Sequence, residues 1–313
     1  MQILPDNKVF IWGCGKQFDR CEKFLRLQRI KIDYVIDSNR FNTRVGDYYI
    51  YPVSVLGRKN GQNNRILVTS AAYFDEISEQ LEELGYDREL DFTELNLYID
   101  QYISGKQIIS LGYNCEISQR LNEFSLVDSY PFSWAYVLNR EKLLKAIEEP
   151  EIILSKGEVL GEDGMFLDLA TDLRLHSHIH RDQLFDLDRD PVEEKVEEAL
   201  DELHGRTRYL VTKFNKLSSF RGTLIFIGKY QSDDLDEDIG FYSRMIEILK
   251  HKFHDSKVEL FIVRERGNRI QESLVPKDVR IRYVARYADD KHTDTDGDFE
   301  GWYRIIREIV FSQ

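Results

Sequence analysis

Cys115 closes the segment Ser110-Leu111-Gly112-Tyr113-Asn114-Cys115, between the apolar run QII and the amphipathic stretch EISQRLNEFSLV. That spacing predicts a thiol at the junction of a strand and a helix. Unpaired N–H groups of a first helical turn, together with the helix dipole, favour a thiolate and lower its pKa from about 8.5. The same N–H groups can hold the oxyanion that forms when a thiolate attacks a carbonyl. Gly112 permits a tight turn and close approach of a substrate, and Asn114 offers a side-chain donor. A cysteine outside a disulfide is more often a small buried hydrophobe, so catalysis here requires a base.

A cysteine nucleophile needs a histidine within hydrogen-bond reach, itself oriented by a carboxylate or amide. His176, His178 and His180 alternate in LRLHSHIHRD, and on a strand all three would face one side. Such a row suits a general base, a phosphate site or a zinc site; the plain alternative is a solvated polar face. His180 is the favoured base because Asp182 lies two residues on, with His178 next, and no metal is assigned. His292, three residues after Asp289, resembles the late D-x-x-H pair of SGNH-type hydrolases. Arg181, Lys213 and Lys229 are candidates for holding a phosphate or carboxylate. His204, His251 and His254 fall on helical patterns and read as surface residues.

Gly13-Cys14-Gly15 follows the strand-like KVFIW and precedes a helical pattern, where a dinucleotide fold sets its phosphate turn. Asp37 ends the next strand, about 20 residues on, where a ribose-binding acid would stand. Gly13, Gly15 and Asp37 are therefore the candidate cofactor-binding residues. The third glycine of GxGxxG would fall at Phe18, which weakens the motif. A scaffold or docking role for this region competes with nucleotide binding, and Cys14 and Cys21 read as packing residues.

These groups need elements to position them. VFIW, IDYVID and NRILV alternate with the helical patterns FDRCEKFLRLQ and YFDEISEQLEELG, and strands alternating with helices call for a parallel sheet. The pattern restarts at Lys106. There QIIS, TLIFIG, KVELFIV and VRIRYV read as strands, with helices over NREKLLKAIEE, VEEKVEEALDELHGRTRYLVTKFNK, IGFYSRMIEILKHKF and EGWYRIIREIV. Residues 156–190 give no readable pattern. The expected organisation is α/β throughout: a Rossmann-like parallel sheet over 1–95, a linker at 96–105, and a larger three-layer α/β domain of flavodoxin/SGNH-like layout over 106–313.

At 313 residues, two domains of ordinary size fit, each able to bury a core. A net charge of -13 argues against non-specific nucleic-acid binding and against docking to anionic lipid, both of which need a basic surface. No run approaches the roughly 20 apolar residues of a membrane helix. The N-terminus lacks the basic and long apolar regions of a secretory signal, and three cysteines at no metal-ligand spacing give no disulfide framework. A cytoplasmic location is expected. Oligomeric state has no signal in the sequence.

Residues 8–95, through VFIWGCG, IDYVIDSN and ILVTSAAYFDEISEQLEELG, resemble the small Rossmann-like domain attached to bacterial polysaccharide-biosynthesis enzymes. ISLGYNCEISQRL followed by Tyr130-Pro131-Phe132-Ser133-Trp134 resembles a bacterial family of unknown function labelled papain-like cysteine peptidases. Its pattern is a strand, S-x-G-x-x-C, a helix and then Y-P-F-D-W, so Ser133 stands where that family usually has Asp. KFNKL, TLIFIGK and GDFEGW are similar to its later blocks, and the likeness covers most of 106–305. A related comparison is the capsular-polysaccharide acetyltransferase family, with a cysteine and histidine near a coenzyme A site. The resemblances imply Cys–His acyl transfer or hydrolysis on a cell-surface glycan or small-molecule substrate, with a coenzyme A thioester as the candidate acyl donor. A non-catalytic module that binds a nucleotide-sugar or a protein, and a papain-like peptidase, are the alternatives.

Overall fold

The computed structural model describes residues 1–60, 63–124, 126, 128–186, 190–267, 269–288 and 297–311. The chain divides into two compact units. The first comprises Met1–Ser104, Glu123–Ser125 and Ile306–Gln313; the second comprises Gly105–Asn122 and Leu126–Ile305. The seam falls at Ser104, so the expected linker over 96–105 is mostly first-unit structure, and the end of the chain returns to that unit.

The first unit runs β1 (Lys8–Trp12), α1 (Phe18–Gln28), β2 (Tyr34–Ile36), β3 (Arg44–Val45), β4 (Tyr48–Tyr51), β5 (Asn64–Val68), α2 (Phe74–Glu83), β6 (Phe92–Glu94) and α3 (Leu95–Ile103). Its sheet has the order β3-β4-β2-β1-β5-β6. All pairings are parallel except the β3–β4 hairpin. Phe10, Trp12, Ile36, Ile66, Val68, Phe74, Leu81 and Phe92 form a core between one sheet face and α2. The near-continuous burial of VFIW and ILV is what a parallel sheet covered on both faces demands.

The second unit runs β7 (Lys106–Ser110), α4 (Glu116–Glu123), β8 (Tyr136–Val137), α5 (Arg140–Glu148), β9 (Glu158–Leu160), β10 (Met165–Asp168), β11 (Leu173–His176), α6 (Arg181–Leu184), α7 (Glu193–Lys216), β12 (Thr223–Gly228), α8 (Leu235–Lys252), β13 (Lys257–Glu265), β14 (Val279–Val284) and the start of α9 (Phe299–Phe311), which from Ile306 belongs to the first unit. The strands β7, β12, β13 and β14 lie side by side in chain order and all parallel. They step one way from β7, so among the described residues no strand supplies the reversal of a flavodoxin order, 2-1-3-4-5. Residues 156–176, unreadable in the sequence, hold β9, β10 and β11, which join β8 in a second, antiparallel sheet of order β8-β11-β10-β9.

Aromatic rings fill the centre of this unit. Phe214 of α7 meets Phe132 at 5.4 Å and Phe253 at 5.3 Å, and Phe253 stacks on Phe226 of β12 at 5.5 Å. Asp238 of α8, fully buried, accepts Arg140 Nη1 of α5 at 2.7 Å and also Arg264 of β13. Burial opposes its ionisation, yet Arg264, the Ser232 N–H and Arg140 hold its carboxyl below the usual aspartate range. No helix among the described residues is long and apolar enough to cross a membrane.

Candidate active site

β7 ends at Ser110, and the chain turns through Gly112 (φ +85°) and Tyr113 (φ +96°) before α4 begins. The Cys115 carbonyl accepts the Gln119 N–H at 2.9 Å, so Cys115 opens the helix as the sequence predicted. Asn114 is buried, and its side-chain oxygen accepts the Glu116 N–H at 3.2 Å. That oxygen therefore caps α4. A Cβ on Gly112 would lie 2.8 Å from the Phe132 carbonyl oxygen and 3.1 Å from that of Ala135. Glycine is required here twice over, by its left-handed backbone and by the turn laid across it.

That turn is Tyr130–Trp134. Ser133, fully buried, accepts the Tyr130 N–H on its hydroxyl at 2.9 Å, while its carbonyl accepts the Ser118 hydroxyl from α4. A carboxylate would accept the same N–H, so serine serves as the turn's cap as an aspartate would. The Trp134 carbonyl lies 3.9 Å from Cys115 Sγ. From α7, Lys213 pairs with Asp128, bonds the Ser129 carbonyl at 3.2 Å and stands 4.8 Å above the Tyr130 ring.

The imidazole beside the thiol belongs to His176: Nε2 is 3.4 Å from Cys115 Sγ. The favoured His180 and the runner-up His178 are not brought there. β11 stops at His176, so the alternation that would align all three histidines ends with the first of them. His178 Nδ1 pairs with Glu202 of α7 at 3.3 Å. The His180 N–H donates to Gln183 Oε1 at 3.3 Å at the start of α6, whose first turn contains Asp182. Asp289 and His292 lie outside the described residues. Among the described residues no group of three or more His, Cys, Asp or Glu is placed to hold a metal ion. Arg181 donates to the Glu162 carbonyl at 2.7 Å.

His176 is positioned from three sides. Tyr136 of β8 presents its ring edge at 6.2 Å, and Arg206 of α7 donates to the His176 carbonyl. Met165 of β10 is its cross-strand neighbour, which brings Asp163, two residues earlier, to its vicinity. Partial desolvation by the surrounding protein lowers the pKa of His176, although the residue stays exposed to solvent; Asp163 opposes the shift, and Arg206 and Arg174 add to it. The ring is therefore neutral near pH 7 and able to accept the thiol proton.

Behind the nucleophile lies a buried ion pair. Glu116, the first residue of α4, accepts Lys229 Nζ at 2.8 Å on one oxygen, with the two side chains 0% and 1% exposed. Its other oxygen accepts the Ala288 N–H at 3.1 Å and Trp302 Nε1 at 2.8 Å. Lys229 also stands 5.2 Å above Tyr113 and 4.3 Å above Tyr287. SLGYNC, YPFSW, KFNKL, GK and GDFEGW thus converge on one place, the carboxyl end of β7. Glu116 reads as an ordinary helix-start acid in the sequence. Only its proximity to Cys115 marked it, because its partners lie more than a hundred residues away.

In the first unit, Gly13 (φ +108°) turns the chain after β1, and a Cβ there would strike Thr69 Oγ1 at 2.5 Å. Gly15 is open. Phe18, where a third glycine would fall, is buried edge-on to Tyr48 at 5.6 Å. Asp37 accepts the N–H groups of Asn39 and Arg40 on one oxygen, and the N–H and thiol of Cys14 on the other. Burial works against the charge on Asp37, and these donors outweigh it, holding the pKa low. Burial and Asp37 push the Cys14 thiol up to about 11, and burial raises Cys21 further. Neither is a nucleophile near pH 7.

No curated protein matches the chain. Residues 5–90 match the family model described as C2185-like, N-terminal, a region that spans β1 to α2 and stops short of Cys115.

Proposed function

We propose that this protein transfers or hydrolyses an acyl group through Cys115, with His176 as general base. The observation that carries the reading is the 3.4 Å approach of His176 Nε2 to Cys115 Sγ at the start of a helix. In the first step His176 takes the thiol proton as sulfur bonds to the acyl carbonyl carbon. The carbonyl oxygen carries the negative charge of the tetrahedral intermediate. Collapse expels the leaving group, which receives the proton from His176, and leaves a thioester on Cys115. An acceptor hydroxyl or water then attacks the thioester, with His176 deprotonating it and returning the proton to the cysteine sulfur. The resemblance to glycan-modifying enzymes favours a surface glycan or its precursor as acceptor and a coenzyme A thioester as donor.

The test is the alkylation rate of each cysteine against pH, read by peptide mass spectrometry, followed by a screen of acyl donors. Cys115 should react far faster than Cys14 and Cys21 near neutral pH, and Cys115→Ala should abolish acyl turnover with an unchanged fold. A Cys115 inert until unfolding, or turnover retained by Cys115→Ala, overturns the reading.

A further inference from the structure

An unassigned polar crevice lies in the first unit, lined by none of the residues around Cys115. β2 and β5 flank β1 on opposite sides, so the loops that follow β1 and β5 diverge. This is the switch point at which open parallel sheets leave room for a ligand. The space there measures about 690 Å³, within the roughly 300–1,000 Å³ of small-molecule sites.

Its walls specify a chemical class. Lys16, from the turn after β1, and Arg40, from the loop after β2, both line the crevice and both are exposed. Among the described residues neither forms an ion pair, although the chain as a whole carries a charge of -13. Asp37 and Glu76 also line the crevice, so its charge is mixed, and two cations outside any ion pair beside a glycine turn suit a phosphate group. From the opposite side, Glu76 of α2 adds an exposed carboxylate suited to sugar hydroxyls. Tyr73, 63% exposed at the lip, offers an aromatic face for a base. Cation pair, carboxylate and aromatic face together match a nucleoside phosphate.

Two features argue against a dinucleotide held in the usual manner. Phe18 occupies the position where a third glycine lets helix and strand close together. Asp37, in the ribose-gripping position, already has its oxygens committed to four donors, two in its own loop and two on Cys14. We propose that this crevice binds a single nucleoside carrying one or two phosphates, with Lys16 and Arg40 on the phosphate side.

Isothermal titration of the full-length protein with the four common nucleoside diphosphates, inorganic phosphate and NAD+ tests this. At least one nucleoside diphosphate should bind one to one, at least tenfold tighter than inorganic phosphate or NAD+. The Lys16→Ala/Arg40→Ala double variant should lose at least tenfold in affinity with an unchanged melting temperature, since both side chains are exposed. Cys115→Ser should bind as the parent does, which keeps this result independent of the proposed acyl chemistry. Absence of nucleotide binding at millimolar concentration, affinity indifferent to the double variant, or a preference for NAD+ or bare phosphate overturns the proposal.

Discussion

The neutrality of His176 has a direct kinetic consequence. A base whose pKa is lowered by partial desolvation and two nearby arginines stays competent at lower pH than a free imidazole, so the acid limb of acyl turnover should fall below the ordinary histidine range. Arg206→Ala removes one of the charges that lower this pKa and should move the limb upward; a pH–rate profile reads both effects. His176→Ala should cost turnover on the order of a hundredfold or more, the scale of a lost general base. Changes at His178 and His180 should leave turnover within about threefold of the parent, because surface substitutions rarely matter more than that. The placement of Cys115 was legible from sequence because a strand–turn–helix leaves a local pattern in consecutive residues. Its imidazole neighbour was not. Which of three alternating histidines faces Cys115 depends on where a four-residue strand stops, and that is fixed by pairing with β8 and β10 rather than by LRLHSHIHRD itself.

At the level of elements, Gly112 sets how closely the Tyr130–Trp134 turn can cover the nucleophile loop. Gly112→Ala should destabilise the protein by about 1–3 kcal/mol for the left-handed backbone alone, with the clash against the Phe132 carbonyl adding to it. Chemical denaturation measures the loss. Asp238 ties α8 to α5 and β13, and Asp238→Asn leaves two arginines facing a neutral amide. A loss of about 3–5 kcal/mol is expected. Because the pKa of Asp238 is depressed on folding, its contribution is present above the ordinary aspartate range and disappears as pH falls through the folded value. The parent should therefore lose stability on acidification more steeply than the Asn variant. The long buried strands TLIFIG and KVELFIVRE and the helices beside them were readable because their runs are long and apolar. β8, β9, β10 and β11 are two to four residues each, too short for any period to emerge, and so the sheet that carries His176 went unseen.

Over the whole molecule, the division into units departs from the expected boundaries at the carboxyl end. The ring of Phe311, at the end of α9, lies 6.0 Å from Phe24 of α1 and 5.2 Å from Tyr102 of α3. Phe311→Ala should weaken the first unit by on the order of 2 kcal/mol. Hydrogen exchange should then rise in α1 and α3 while the amides of β12 and β13 keep their protection. The amphipathic pattern of EGWYRIIREIV predicted the helix but carried no address for its two ends. Apolar faces on Trp302 and Phe311 look alike until their partners are known.

This return of the chain inverts the usual order of maturation during synthesis. Multidomain chains generally complete their leading domain while the rest is still being translated. Here the leading domain lacks a piece of its packing until residue 306 and beyond have left the ribosome, whereas every segment of the trailing domain has by then been made. The second unit can close first, and the first waits for the end of α9, from Ile306 onward, to seal it. A nascent chain arrested once Ile305 has emerged, before the remainder of α9, should hold a protease-resistant second unit beside a first unit still open to cleavage.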